Sequence, residues 1–246
     1  MEVHHHSHTE RKRWIHYFWE FFMLFLAVTL GFLVENQREH YVEHRQEKQY
    51  MKLMLEDLIA DTTELQKSLA DIGRSLTNID STISQLVNGN IANKTSTDVY
   101  RFSSVALKRV PVVFTDRTLT QLKNSGRMRI VRSQKVLDAL TQYWNHIEVI
   151  KITLDRHAHY RSMGRDLEIR IFNLAKGFLK DHEFMTRRSG QMDLVTSNPE
   201  LIVQYANTLA YCAVVLNQGS IELIEQYHLA IEFIKLIQKE YNIKLI

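Results

Sequence analysis

A run of apolar residues near the start, WIHYFWEFFMLFLAVTLGFLVE at positions 14–35, constrains this chain more than any other feature. Positions 21–34 hold no charge. With the aromatic residues in front, the apolar stretch extends over about 21 residues, enough for a transmembrane helix. At ~1.5 Å rise per residue such a helix reaches roughly 31 Å, close to the thickness of a bilayer's hydrocarbon core. The uncharged part alone would suit the core of a signal peptide. No small-residue cleavage site follows it, and helix-favouring sequence continues directly behind. The segment is therefore expected to be one uncleaved anchor.

Beyond the anchor the chain is too polar to cross a membrane again, with 24% charged and 45% hydrophobic residues overall. Only 2 prolines and 8 glycines occur in 246 residues. Strands and their turns consume these residue types, so their scarcity points to long helices. The expected fold is all-α: a single N-terminal transmembrane helix continuing into an elongated antiparallel helical bundle or coiled coil. Three regions follow: a cytoplasmic tail at 1–13, the span at 14–35 and an extracytoplasmic bundle at 36–246. The formal charge is only +3, and basic residues alternate with acidic ones. A phosphate-binding face needs them clustered, so no nucleic-acid partner is expected. The single cysteine, Cys212, allows no internal disulfide, and its apolar surroundings suggest a small buried hydrophobe.

Periodicity divides the bundle. No breaker follows position 35, so the anchor is expected to run on into a long helix. From Met51, apolar residues keep a seven-residue repeat through Leu55, Leu58, Leu65, Leu69, Ile72, Leu76, Ile79, Ile83 and Leu86, interrupted only at Thr62. This is a packing seam, for other helices of the chain or for its copy in another subunit. The helix should stop near Asn88, Gly89 and Asn90. Short helices are expected at 98–110, closed by Pro111, and at 115–124, capped by Thr115 and stopped by Gly126. Ser133 should open a second long helix with Val136, Leu140, Tyr143, Ile147, Ile150 and Leu154 as its seam. The repeat is expected to slip by three residues across 157–164, where His157, His159 and Arg161 read as surface or seam-edge residues. Such a stammer overwinds a helix pair. Positions 180–197 are polar and loop-like. Asn198, Pro199 and Glu200 combine an N-cap, a first-turn proline and an acid at the positive dipole end. The third long helix starts there, its stripe running from Ile202 and Leu209 to Ile237 and Tyr241.

Arg11, Lys12 and Arg13 precede the span and favour a cytoplasmic N-terminus. Trp14, Tyr17 and Trp19 fit an interfacial aromatic belt on that side. Within the span His16, Glu20, Ala27 and Gly31 fall on one helix face. Ala27 and Gly31 form a small-xxx-small pair that lets helix backbones approach. A carboxylate in hydrocarbon costs a few kcal/mol, so Glu20 should be protonated or paired. It reads either as a proton- or ion-handling group in an assembly or as a glutamate snorkelling to the inner surface beside His16. Both readings leave a face for self-association or for a membrane partner. His4, His5, His6 and His8 in the tail offer imidazoles to Zn, Ni or Cu, although structural sites normally space their ligands on ordered elements. His40 and His44 form a second pair one turn apart, near Glu43 and Glu47, and more often such a pair is a solvated face.

No phosphate loop, G-x-S-x-G, H-E-x-x-H or CxxC occurs. Glu168, Glu222, Asp138 and Asp155 read as solvated charges beside basic residues, and Arg127, Arg129 and Arg132 as a wet surface turn. No constellation supports an enzyme.

The N-terminal pattern M-E-V-H-H-H-x-H at 1–8, F-x-E-F-x-M-x-F-L-A-V-x-x-G-F at 18–32 and E-N-x-R-E at 35–39 resembles an uncharacterised single-span membrane protein family of Bacteroidota. The stretch TLTQLKNSGRMRIVRSQKVLDALTQYW at 118–144 is similar to a segment of related domains of unknown function. Position 7 is serine where proline is expected in many relatives. The resemblance implies a bacterial inner-membrane protein with native histidines and supplies no activity. The sequence-level expectation is a non-enzymatic, membrane-anchored scaffold or sensor-like interaction protein. Its partners are the lipid bilayer and further copies or a membrane protein, and its bundle is periplasmic. The alternatives are a subunit of a proton- or ion-coupled complex using Glu20, or a metal-responsive protein using the tail histidines.

Overall fold

The computed structural model describes residues 14–88, 94–177 and 191–244. They form an all-helical protein with one small strand pair, and the chain divides into two compact units between Tyr50 and Met51. The tail histidines His4, His5, His6 and His8 lie outside the described residues.

The first unit holds the beginning of α1 (Trp14–Asn88). No residue from 14 to 46 is buried. Large apolar side chains there are open, as with Trp14 and Phe32. Their mutual contacts run along the helix surface: Phe18 stacks on Phe22 at 6.2 Å and Phe21 on Phe25 at 6.3 Å, each one turn away. Arg38 grips both carboxylate oxygens of Glu35 at 2.9 and 2.5 Å. α1 passes position 35 without a break, as the missing breakers lead one to expect, and is described to Asn88; Gly89 and Asn90 of the expected stop lie outside the described residues.

The second unit begins with the rest of α1. Met51, Leu58, Leu65, Ile72, Ile79 and Leu86, seven residues apart, are all buried. This row packs inside the chain's own core, so it offers no seam to another subunit. Beside it the expected apolar flank of Leu69, Leu76 and Ile83 is only half-buried. The deeper second row is Met54, Asp61, Ser68, Ser75 and Thr82. Small hydroxyl residues serve there because their polar atoms find partners: Ser68 donates to the Pro111 carbonyl at 3.0 Å and Thr82 to the Asn78 carbonyl at 2.7 Å.

After α1, β1 (Lys94–Ser96) pairs antiparallel with β2 (Gln191–Asp193), and Phe172 bridges to Leu194 beside them. α2 covers Thr97–Ala106, shorter at its end than the expected 98–110. α3 is Arg117–Asn124 with Asp116, not Thr115, at its N-cap. Gly126 takes the left-handed conformation (φ 65°) and leads into a 3₁₀ turn, Arg127–Ile130.

α4 (Gln134–Ile171) opens after Ser133, whose hydroxyl donates to Glu240 rather than capping the helix. Its buried row is Val136, Tyr143, Ile150, His157, Gly164 and Ile171, again every seventh residue. The expected slip at 157–164 is therefore absent. The row continues in register through a histidine and a glycine, which an apolar count cannot see. Gly164 leaves room for the buried Leu107, since a Cβ there would meet Leu107 Cδ2 at 2.9 Å and the leucine would have to shift. A short α5 (Leu174–Gly177) follows.

α6 (Pro199–Tyr241) begins as its sequence demands, with the Asn198 side chain accepting from the Glu200 N–H at 3.0 Å. It buries two rows, one through Ile202, Leu209, Leu216, Leu223, Ala230 and Ile237, the other through Tyr205, Cys212, Gly219, Gln226 and Phe233. Contacts of Thr153 with Glu222 and of Tyr160 with Tyr211 show α4 and α6 running antiparallel.

Candidate functional site

The residues singled out in the apolar segment, His16, Glu20, Ala27 and Gly31, do share one face of α1 by their spacing, and all four are exposed. No atom lies within 4 Å of a Cβ built on Gly31. His40 and His44 are exposed too, and His44 Nδ1 sits 3.4 Å from Glu47 Oε2. No group of three or more His, Cys, Asp or Glu placed to hold a metal ion occurs among the described residues.

The polar chemistry of the second unit lies inside it, in three clusters. The first joins α1 to the segment before α3. Asp61 accepts from the Thr115 N–H at 2.7 Å and from the Tyr143 hydroxyl at 2.6 Å. Burial raises its carboxyl above the ordinary range against the pull of both bonds. One turn earlier Asp57 accepts from Arg117 Nε at 2.5 Å and from the Thr118 N–H at 3.1 Å. It thereby supplies, from another helix, the capping oxygen that α3 needs at its N-terminus. Behind Tyr143, Gln226 donates to the Tyr143 carbonyl at 3.3 Å and meets His146 Nδ1 at 2.8 Å.

The second cluster ties α2 to α4 and α6. Ser103 donates to Glu168 Oε1 at 2.7 Å, and its oxygen lies 2.7 Å from the Tyr205 hydroxyl. All three residues are buried, contrary to the expectation of a solvated Glu168. Burial raises the carboxyl of Glu168 and the phenol of Tyr205. Arg165 lies 3.7 Å from Glu168 and also donates to the Leu107 carbonyl at 3.1 Å. Glu222, likewise expected in solvent, is buried in the third cluster, where it accepts from Thr153 and from Gln218, each at 3.0 Å. One turn along α4 from Thr153 stands His157, buried and not at the surface. Burial, then the charge of Arg161, holds its imidazole down at about 4. Glu168 Oε2, Glu222 Oε2 and His157 Nε2 have no hydrogen-bond partner among the described residues.

Sequence reasoning missed these groups because their partners stand far along the chain. A signal existed nonetheless: Tyr143, His157 and Gly164 occupy positions of an unbroken heptad, as do Asp61, Ser68, Ser75 and Thr82 of α1. Cys212 is buried as expected, its thiol raised to about 11 by desolvation. Neither this thiol nor the Ser103 hydroxyl faces open space, so both serve packing in this conformation.

The described surface also carries an open groove of about 530 Å³ between α4 and α6. Tyr160, Leu167, Gln204 and Thr208 line it beside Tyr211, which stacks on Tyr160 at 5.5 Å. Its size is within the range of small-molecule pockets. Set against known proteins, the chain matches no family model, no curated protein and no solved structure.

Proposed function

We propose that the protein is a non-enzymatic, membrane-anchored helical scaffold or sensor-like module, held by residues 14–35 in a bacterial inner membrane. One observation carries this reading. A helical segment long and apolar enough to cross a bilayer is not buried at all, and it continues without a break into a water-suited bundle. Apolar surface of this extent needs cover, and lipid supplies it. The basic residues Arg11, Lys12 and Arg13 before the segment favour a cytoplasmic N-terminus and hence a periplasmic bundle. The interior polar clusters fit a module that transmits contact: they hold α2 and α3 onto the long helices and present no reacting group to solvent.

Membranes washed at alkaline pH should retain the full-length chain. A thiol placed at exposed Gln85 in a Cys212→Ser background should react with a membrane-impermeant reagent in intact spheroplasts. Release by the wash would overturn the anchor, and labelling only after lysis would reverse the topology.

The shared face of Glu20, Ala27 and Gly31 favours a second reading, in which the protein is one subunit of a proton- or ion-coupled complex. Glu20→Gln separates the two. Insertion and assembly unchanged with loss of the cellular phenotype would favour the coupled complex, and no phenotype would favour the scaffold. Metal response by the tail histidines is tested by titrating Zn, Ni or Cu into the full chain and into a His4, His5, His6, His8 to alanine variant.

A further inference from the structure

The outward face of α6 carries a second heptad line. Positions 203, 207, 210, 214, 217, 221, 224 and 228 alternate steps of four and three, the spacing of a coiled-coil seam, and every one is exposed. The line faces away from the buried rows of the same helix, with Asn207 also at the edge of the groove shared with α4. Val214 is 66% exposed, Ile221 54% and Val203 53%. α6 is thus apolar on two sides, and a helix apolar all round is ordinarily covered all round. With Tyr211 and Ile224 included, these side chains leave on the order of 500 Å² of apolar surface open, toward the upper end of the ~300–600 Å² of a monomer's largest patch. That is a good part of the ~800 Å² which each partner brings to a stable interface.

We infer that α6 pairs with α6 of a second copy as a parallel, in-register, two-stranded coiled coil. The layers decide both partner and direction. Asn207, Val214, Ile221 and His228 take the a positions, where one asparagine among apolar layers fixes the register of the pair. Val203, Ala210, Asn217 and Ile224 take the d positions. In parallel register every layer meets its own kind. Valine, alanine and isoleucine pack on themselves, and each asparagine faces an asparagine, whose carboxamide both donates and accepts. Antiparallel pairing about the same seam would set Asn207 against Ile224 and Val214 against Asn217, burying carboxamides without partners. The seam of α1 is spent inside the chain, which leaves this stripe for the bundle's self-association.

Single cysteines in a Cys212→Ser background of the full-length chain, purified in detergent and mildly oxidised, test the pairing. Asn207→Cys and Ile221→Cys should each give disulfide-linked dimers well above an exposed control on α1, Gln85→Cys. Adding Val214→Glu should abolish both. In an antiparallel pair the two copies of position 207 would stand about 25 Å apart and could not link. Linking only between mixed Val203→Cys and His228→Cys chains would therefore overturn the direction. A monomeric mass by sedimentation, or links no stronger than the control, would overturn the pairing itself. Failure of the membrane anchor would leave these links unchanged in a soluble protein, so the two ideas fail separately.

Discussion

At the residue scale, His157 and Glu168 show how much polarity the interior holds. His157 fills a turn of α4 that Tyr143 and Ile150 fill elsewhere. Burial keeps it neutral down to about pH 4, from an ordinary value of 6.5. As pH falls below 6.5 the unfolded chain takes a proton there while the folded chain does not, so stability is lost across this window. The full displacement corresponds to roughly 3 kcal/mol. Asp61 and Glu168, raised by burial, act in the opposite sense: the folded state protonates first, so acid adds stability through them. The difference between wild type and His157→Leu isolates the histidine. In denaturant titrations the variant should gain on wild type by up to about 3 kcal/mol between pH 7 and pH 4. A constant difference would mean that His157 titrates normally. Ser103→Ala should cost about 1–3 kcal/mol, because it strips the partner from Glu168 Oε1 and from the Tyr205 hydroxyl inside the core. Thermal unfolding at neutral pH reads that loss.

At the element scale, α3 depends on a carboxylate from α1. Asp57→Ala removes the oxygens held by Arg117 and by the Thr118 N–H, and should cost about 2–3 kcal/mol, as for charge-assisted bonds. Hydrogen exchange should rise first in residues 117–124. Unchanged protection there would show that α3 is held by Leu119 and Leu122 alone. Two helix boundaries were legible because they are written in local chemistry, Asn198 with Pro199 and Gly126 in the left-handed region, whereas the end of α2 and the N-cap of α3 were not. The interiors were only half legible. An apolar count follows Leu65, Ile72 and Ile79 but not Ser68, Ser75 and Thr82, whose burial depends on a close neighbour and a satisfied hydroxyl. The strand pair was not legible, since three residues have no periodicity of their own and these partners lie far apart in the chain. Nor were the acid partners: Thr115 and Tyr143 reach Asp61 from 54 and 82 residues away.

At the scale of the whole molecule, burial and exposure divide the chain's apolar surface into two kinds. From Glu47 onward, apolar rows close on one another, while the outward stripe of α6 stays open. From residue 14 to residue 46 no side chain is buried, though several of the largest apolar residues stand there. On the proposed reading lipid covers that stretch, so its removal from lipid should leave the folding of the rest intact. Leu26→Arg with Leu30→Arg tests this separation. Each charge near the centre of a span costs about 2.5–3.5 kcal/mol on insertion scales, enough together to expel a marginally apolar helix. The double variant should leave the alkaline-washed membrane pellet. Its thermal unfolding transition should match that of wild type in detergent, because the rows around Leu65, Ile150 and Leu216 are untouched. If the double variant stays in the pellet, attachment rests on something other than this helix. If it leaves the pellet but loses the cooperative transition, the bundle draws stability from the segment, and the two kinds of surface are not independent.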